Sequence, residues 1–508
     1  MNAQISAAEE RFEQFRQRIG FWIAPAIFLI LWIVPLRGLS DAAHHLLAIM
    51  GLVVTLWLTE AIPLPVTALL GPALAVLCGV GSARDVFRSF GDPIVFLFLG
   101  SFLLAEAIIV HGLNRRIAFS ILSIRGLAGS PARLFAGFAF ITGFISMWVS
   151  NTATTAMMFP IAQAILAELA TRRSLESGRT IGVKDLPIAT GLMLLTAFGA
   201  SIGGYGTPVG TPPNLIGIGM IQKSLHVQIT FFQWMAFCLP LTLVLLVFLT
   251  AYLARAFGSG DAFTGNITEW LASERLKLGS LSAGQKNVWF AFGVTVALWI
   301  IPGVVGVVAG TDSSAFIWLN SHLPESTVAL MGGLLLFILP INWRAGQFTL
   351  NWKQASGIDW GTILLFGGGL ALGELMFSTG LASWLGEGLA HAFHARTNLG
   401  VIALFTFVGI LISEATSNTA SATMVVPVAI AVAQAAGTNP VQAALAATLG
   451  ASMGFMLPVS TPPNAIVYGS GCVPIRKMVR SGIILDFVGF VVIVLVVTFV
   501  VPRVVPTR

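Results

Sequence analysis

Apolar runs of about 20 residues recur along the chain between short polar loops, and a helix of that length crosses the hydrocarbon layer of a bilayer. Residues 1–19 are polar, with Arg11, Arg16 and Arg18 interleaved with Phe12 and Phe15. They read as a cytoplasmic segment, either a helix on the membrane surface or a solvated tail. The apolar run from Phe21 to Leu36 is followed by no small-residue cleavage site and reads as a retained first span. Spans over about 43–60 and on to about 82 follow. Glu60, at a helix end beside a proline, is either an interfacial cap or a structural contact between subunits or domains.

Two apolar stretches carry a polar knot at their centre. Over 134–169, arms at about 134–149 and 153–169 flank Ser150-Asn151-Thr152-Ala153; over 399–436, Ser417-Asn418-Thr419-Ala420 holds the same place. Short arms meeting at a polar tip describe re-entrant hairpins, whose non-helical backbone is sheltered by protein. Two further spans are broken, at 203–214 by a glycine- and proline-rich run ending in Thr211-Pro212-Pro213-Asn214, and at 454–464 by one ending in Thr461-Pro462-Pro463-Asn464. Proline removes a backbone donor and glycine loosens the helix, so both are strong break signals.

Residues 257–286 form a long polar stretch, read as a cytoplasmic linker between a first transmembrane half, 20–256, and a second, 287–508. Asn266-Ile267-Thr268 matches a glycosylation acceptor, an accidental match on the cytoplasmic side. The second half opens with spans near 287–309 and 326–341 and closes with one near 482–501. Between them, Gly367-Gly368-Gly369 lies in no strand-turn-helix context and points to close helix packing rather than phosphate binding.

The halves repeat. Asp92 and Asp359, Gly100 and Gly367, Ser146 and Ser413, Asn151 and Asn418, and Pro160 and Pro427 all keep one offset of 267 residues. The two Thr-Pro-Pro-Asn runs stand 250 apart, and a loop near 171–186 that the second half lacks accounts for most of the difference. A fixed offset held over such a range means duplication.

Composition agrees: the 508 residues are 56% hydrophobic and only 9% charged. The expected class is an all-α polytopic membrane protein, with about 11 transmembrane helices and two hairpins. A sequence pI near 9.6 could suggest nucleic acid, but the basic residues sit in short loops. With the N-terminus cytoplasmic, 20 of the 27 Lys and Arg residues fall inside, leaving Arg37, Arg84, Arg88, Lys223, Arg396, Arg503 and Arg508 outside. That count puts the C-terminus outside and gives the hairpins opposite bases, so the repeats are inverted. Three scattered cysteines offer neither a disulfide framework nor a zinc site.

The knots and breaks supply hydroxyls, amides and freed backbone groups, and no charged side chain lies within them, with Glu414 the nearest. Half-helix N-termini suit carboxylate or sulfate oxygens, while unwound carbonyls suit a hard monovalent cation such as Na⁺. An amide such as Asn151 serves both, its oxygen facing a cation and its NH₂ an anion. No nucleophile–base pair, metalloprotease run or Walker sequence is present, so the chain does not read as an enzyme. Duplicated hairpins do not build the ring of groups that a channel filter needs.

The run from Leu58 to Ala68, the run from Met147 to Met158 and both Thr-Pro-Pro-Asn breaks resemble the divalent anion:sodium symporter family. The resemblance covers nearly everything from about residue 45 onward. It implies import of a dicarboxylate such as succinate or malate, or of citrate, with two or more sodium ions, through the inner membrane. It also implies a homodimer whose scaffold holds still while a transport part moves as an elevator. A first sodium site would use Ser146, Ser150, Asn151 and Gly210, and a second Ser413, Thr416, Asn418 and Ser460. Substrate carboxylates would meet Ser150, Asn151, Thr152, Ser417, Asn418 and Thr419, with Thr211 and Thr461 close by. A sodium-independent exchanger and a sulfate transporter of the same fold remain the alternatives.

Overall fold

The computed structural model describes residues 7–124, 130–258, 267–394 and 396–505. Among them, eleven helices are long and apolar enough to cross a membrane, as a polytopic helical protein requires. The only strands among the described residues form one short antiparallel pair, Pro340–Asn342 with Gln347–Phe348. The eleven include three hairpin arms, whereas Leu64–Leu77 and Glu325–Leu335, expected as spans, are shorter apolar helices.

Several boundaries shift for identifiable reasons. Ala7–Ile33 is a single helix, so residues 7–19 are neither a separate surface helix nor a loose tail. The first hairpin runs Pro131–Ser146 and Asn151–Ser177, and its second arm is far longer than the polar pattern suggests. Apolarity fades at Glu168, yet the helix continues because Glu168 and Arg172 pair one turn apart at 2.6 Å. Gly178 ends it at φ 67°, a left-handed C-cap that glycine takes without strain. The span expected to reach 341 stops at Leu335, ahead of Pro340 and the strand pair.

The linker is folded where described: Thr268–Lys277 is helical, and Arg116 grips the Leu278, Gly279 and Ser280 carbonyls. Asn266 of the glycosylation match lies outside the described residues. The glycine run packs as expected, for a Cβ on Gly368 would stand 2.0 Å from the Ala68 carbonyl oxygen.

At the centre lie the proximal halves of the two broken spans, Pro187–Gly203 and Pro440–Gly450. Residues 188–206 are all buried, so this stretch meets protein on every face. Small residues set the approach: a Cβ on Gly203 would stand 2.4 Å from the Gly143 carbonyl oxygen, and one on Gly450 would stand 2.5 Å from that of Thr406. Each proximal half therefore packs against the first arm of its own hairpin, Pro131–Ser146 or Asn398–Ala415.

Candidate functional site

At the first tip the helix Pro131–Ser146 ends, and Ser150 caps the next by accepting the Ala153 N–H at 3.3 Å. Ser146 Oγ donates to Asn151 Oδ1 at 2.9 Å, which fixes the amide across the turn. Opposite lies the break of the same half. A Cβ on Gly204 would stand 2.5 Å from Asn151 Oδ1, and one on Gly210 would stand 2.5 Å from the Gly204 oxygen and 3.0 Å from that of Met147. Ser146, Asn151 and Gly210 of the first expected cation set thus converge, with Ser150 at the same turn.

The second tip repeats this arrangement. Ser417 accepts the Ala420 N–H at 3.2 Å, and Ser413 Oγ donates to Asn418 Oδ1 at 2.8 Å. A Cβ on Gly454 would stand 3.2 Å from Asn418 Oδ1. Ser413 also reaches the Ala451 carbonyl at 2.7 Å. The duplicated sequence has kept the same side-chain contact at both places.

The distal halves, Pro212–Leu225 and Pro462–Tyr468, each begin with proline where a missing N–H costs nothing. They cross between halves: Asn151–Ser177 packs on Pro462–Tyr468, and Asn418–Ala435 packs on Pro212–Leu225. Each hairpin therefore leans on the other half's break. The helices that start at Ser150, Ser417, Thr211 and Thr461 bring N–H groups and positive dipole ends into this assembly. Thr152 is exposed at its tip, Thr419 is half-buried, and Thr211 and Thr461 are buried.

Asn214 and Asn464 hold the breaks open, a role the sequence reading passed over. Asn214 Nδ2 donates to the Gly204 and Thr207 carbonyls, each at 2.9 Å, and Asn464 Nδ2 to those of Gly454 and Leu457, each at 3.0 Å. Both Oδ1 atoms are buried without a partner, as are Ser201 Oγ and Ser452 Oγ at matching places in the halves. Buried oxygens left over in pairs, beside carbonyls kept from helical bonding, make a donor set that suits a hard monovalent cation. The paired Thr-Pro-Pro-Asn runs carried this signal.

Two residues of the second cation set turn elsewhere. Thr416 Oγ1 donates to the Trp57 carbonyl at 3.0 Å, tying the tip to the helix Asp41–Thr59. Ser460 Oγ donates to Glu414 Oε2 at 2.6 Å and to the Glu414 carbonyl at 3.1 Å. What Thr416 offers the pocket is backbone. Glu414 stands where the first half has Met147, so the pockets are alike in amides and unlike in charge.

Glu60, left open between an interfacial cap and a contact between subunits or domains, makes an ion-pair contact within one chain. Its carboxylate lies 3.6 Å from Arg16, which also binds Glu13 and donates to the Ala415 carbonyl at 3.1 Å. Partial burial raises the Glu60 carboxyl above its ordinary value of 4.5, and the Arg16 guanidinium partly offsets this. The N-terminal helix is thereby fastened beside the second tip.

The family model described as the sodium:sulfate symporter transmembrane region matches residues 16–503. The chain is 35% identical to the sodium-dependent dicarboxylate transporter SdcS of Staphylococcus saprophyticus over 495 residues, which cover 96% of this chain and 92% of that protein. Against SdcS of Staphylococcus aureus it is 34% identical over 494 residues, covering 96% and 91%. Among solved structures, the Alcanivorax borkumensis YdaH transporter aligns at TM-score 0.55 and 14% identity, covering 96% of this chain and 98% of that one. MtrF of Neisseria gonorrhoeae aligns at TM-score 0.54 and 13% identity, covering 90% and 95%. At those identities the likeness is one of fold.

Proposed function

This chain belongs to the sodium:sulfate symporter family of membrane transporters, and we propose that it imports a divalent organic anion, a C4-dicarboxylate such as succinate or malate, together with sodium ions. The observation that carries this reading is the twinned contact of Ser146 with Asn151 and of Ser413 with Asn418, each set against a broken span. In each, the amide oxygen accepts from a serine hydroxyl, and among the described residues its NH₂ group has no hydrogen-bond partner, which suits it to meet a carboxylate. The SdcS relatives, named as sodium-dependent dicarboxylate transporters, support the same ions and substrate class.

Charge accounting favours sodium. A dianion inside the membrane needs compensation, and helix ends supply only about half a charge each. The knots and breaks contain no lysine or arginine. Arg16 reaches the Ala415 carbonyl but is already engaged by Glu13 and Glu60. Cations from solution fill the gap, one beside each tip, before the anion docks on Ser150, Asn151, Thr152, Ser417, Asn418 and Thr419.

The rest of the reading takes orientation from the charge of the loops, and the homodimer and the elevator from the family resemblance. The N-terminus is cytoplasmic and the C-terminus outside, in an inner membrane. The hairpins and broken spans move together as an elevator against a scaffold that forms a homodimer. The test is uptake into proteoliposomes of succinate, malate, fumarate, tartrate, citrate and sulfate, with an inward sodium gradient or with choline. Sodium-driven dicarboxylate uptake is expected. Undiminished net uptake in choline means an exchanger, and preference for sulfate means the other substrate class.

A further inference from the structure

Away from the hairpin tips, three elements enclose a cavity of about 580 Å³: the short helix Leu113–Leu122, the linker helix Thr268–Lys277 and the opening turns of the span Ala283–Ala309. The short helix is amphipathic. Leu113, Ala118, Phe119 and Leu122 are buried, Arg115 is exposed, and Arg116 and Ser120 are half-buried. At ten residues it is too short to cross a bilayer, and its two faces suit the boundary between lipid and water.

The cavity lining is of two kinds. Arg116, Ser120 and Arg275 supply polar groups, whereas Ile117, Ile121, Leu276, Leu281 and Trp289 supply apolar surface. Water is a poor partner for the second set, yet Leu276 is 80% exposed, Trp289 44% and Leu281 40%. Trp289 and its exposed neighbour Phe290 lie near the start of a candidate span, the level at which aromatic side chains collect along a membrane surface.

Charge narrows what can cover this surface. Arg116 donates to the Leu278, Gly279 and Ser280 carbonyls at 2.6, 2.9 and 3.0 Å, and its Nε–H is buried without a partner. Carbonyls hold the guanidinium in place and leave its charge intact. Among the described residues neither Arg116 nor Arg275 pairs with a carboxylate. Glu274 of the linker helix is taken by Lys277, and no acidic residue lines the cavity. Arg115, over the Phe119 ring at 5.6 Å, adds a further positive charge close by. Guanidinium groups beside apolar surface at membrane level call for an anion that carries its own apolar part.

We propose that this cavity binds an anionic phospholipid, its phosphodiester group meeting Arg116 and Arg275 and its acyl chains covering Ile117, Leu281 and Trp289. A soluble phosphate leaves the apolar wall uncovered, and a zwitterionic lipid brings its own cation towards the two arginines. The lipid bridges the linker helix and the short helix that precedes the first hairpin, so its binding stabilises that junction.

The experiment is native mass spectrometry of the full-length protein in detergent, titrated with dioleoyl phosphatidylglycerol or with dioleoyl phosphatidylcholine, which share their acyl chains. Phosphatidylglycerol is expected to bind at least about fivefold tighter, the effect of one basic residue beside a lipid headgroup. Arg275 is exposed and, among the described residues, makes no ion pair. Arg275→Gln therefore leaves the fold intact, weakens the first bound phosphatidylglycerol about fivefold and leaves phosphatidylcholine within about twofold. Trp289→Ala weakens both lipids. Arg344→Gln, at an exposed arginine that does not line the cavity, changes neither. Equal affinity for the two lipids means a non-selective apolar groove and overturns the proposal. Unchanged phosphatidylglycerol binding in Arg275→Gln overturns it too, as does an equal loss in Arg344→Gln, which is surface charge alone. Glycerophosphoglycerol, the headgroup without chains, is expected not to compete at matched concentration; competition makes the ligand a soluble phosphate ester and overturns the lipid assignment.

Discussion

Asn151 and Gly204 compete for one space: a Cβ at position 204 would stand 2.5 Å from Asn151 Oδ1, closer than such atoms approach. The amide of the hairpin tip is seated directly on the break. Gly204→Ala must displace it, and overpacking of this kind costs about 1–3 kcal/mol. Uptake is expected to fall at least tenfold with normal membrane abundance. At the equivalent place the gap is 3.2 Å, so Gly454→Ala has the smaller effect. Equal uptake by Gly204→Ala and wild type would sink this account of the tip.

Asn151→Ala and Asn418→Ala each remove an amide whose oxygen accepts from the serine at the end of the preceding helix. A hydrogen bond to a charged group is worth about 1.5–3 kcal/mol, or roughly ten- to a hundredfold in affinity, before any cation is lost. Both variants should reach the membrane and transport almost nothing. Near-normal uptake by both returns the knots to the role of helix glue.

Ser413 and Thr416 separate side-chain from backbone ligation. Ser413 holds Asn418 Oδ1, whereas Thr416 points its hydroxyl at the Trp57 carbonyl. Ser413→Ala is expected to raise the sodium concentration for half-maximal uptake about tenfold, as loss of one such bond implies. Thr416→Ala leaves it within about twofold, because a backbone carbonyl is indifferent to the side chain. The reverse order shows that the Thr416 hydroxyl turns inward during transport.

Asn214 and Asn464 each satisfy two carbonyls that the broken helix leaves free. Replacement by leucine leaves those acceptors buried and unpaired, at about 1–3 kcal/mol. Either variant should unfold at a lower temperature in detergent even with sodium absent, unlike the tip variants. Unchanged melting in both excludes a structural role for these amides.

Glu60 gives a pH dependence with a definite sign. Its carboxyl is raised from 4.5 by burial, so the folded state holds the proton more tightly than the unfolded one. That contribution is present at low pH and is lost as pH rises from the ordinary value through the folded one. Glu60→Gln flattens this fall, and Arg16→Gln extends it to higher pH by removing the offsetting charge. Because the pair is partly solvated, each change stays below about 1 kcal/mol, and thermal melts over a pH series read it.

Sequence by itself determined the class, the duplication, both knots and both breaks, because each depends on residue type at fixed spacing. Apolar runs, a polar Ser-Asn-Thr triplet and adjacent prolines dictate local structure without reference to distant chain. It also placed Asn151 and Asn418, since a repeated motif must make repeated contacts. Helix ends at polar surfaces were less legible: the arm through Ser177 continues on an ion pair that a hydropathy pattern does not register. Tertiary structure alone decided which oxygen meets which. Thr416 turning to Trp57 and Arg16 reaching Ala415 join residues far apart in the chain. Such contacts follow from how helices cross, and crossing is set by close packing of small residues on many faces at once, which no single stretch of sequence encodes.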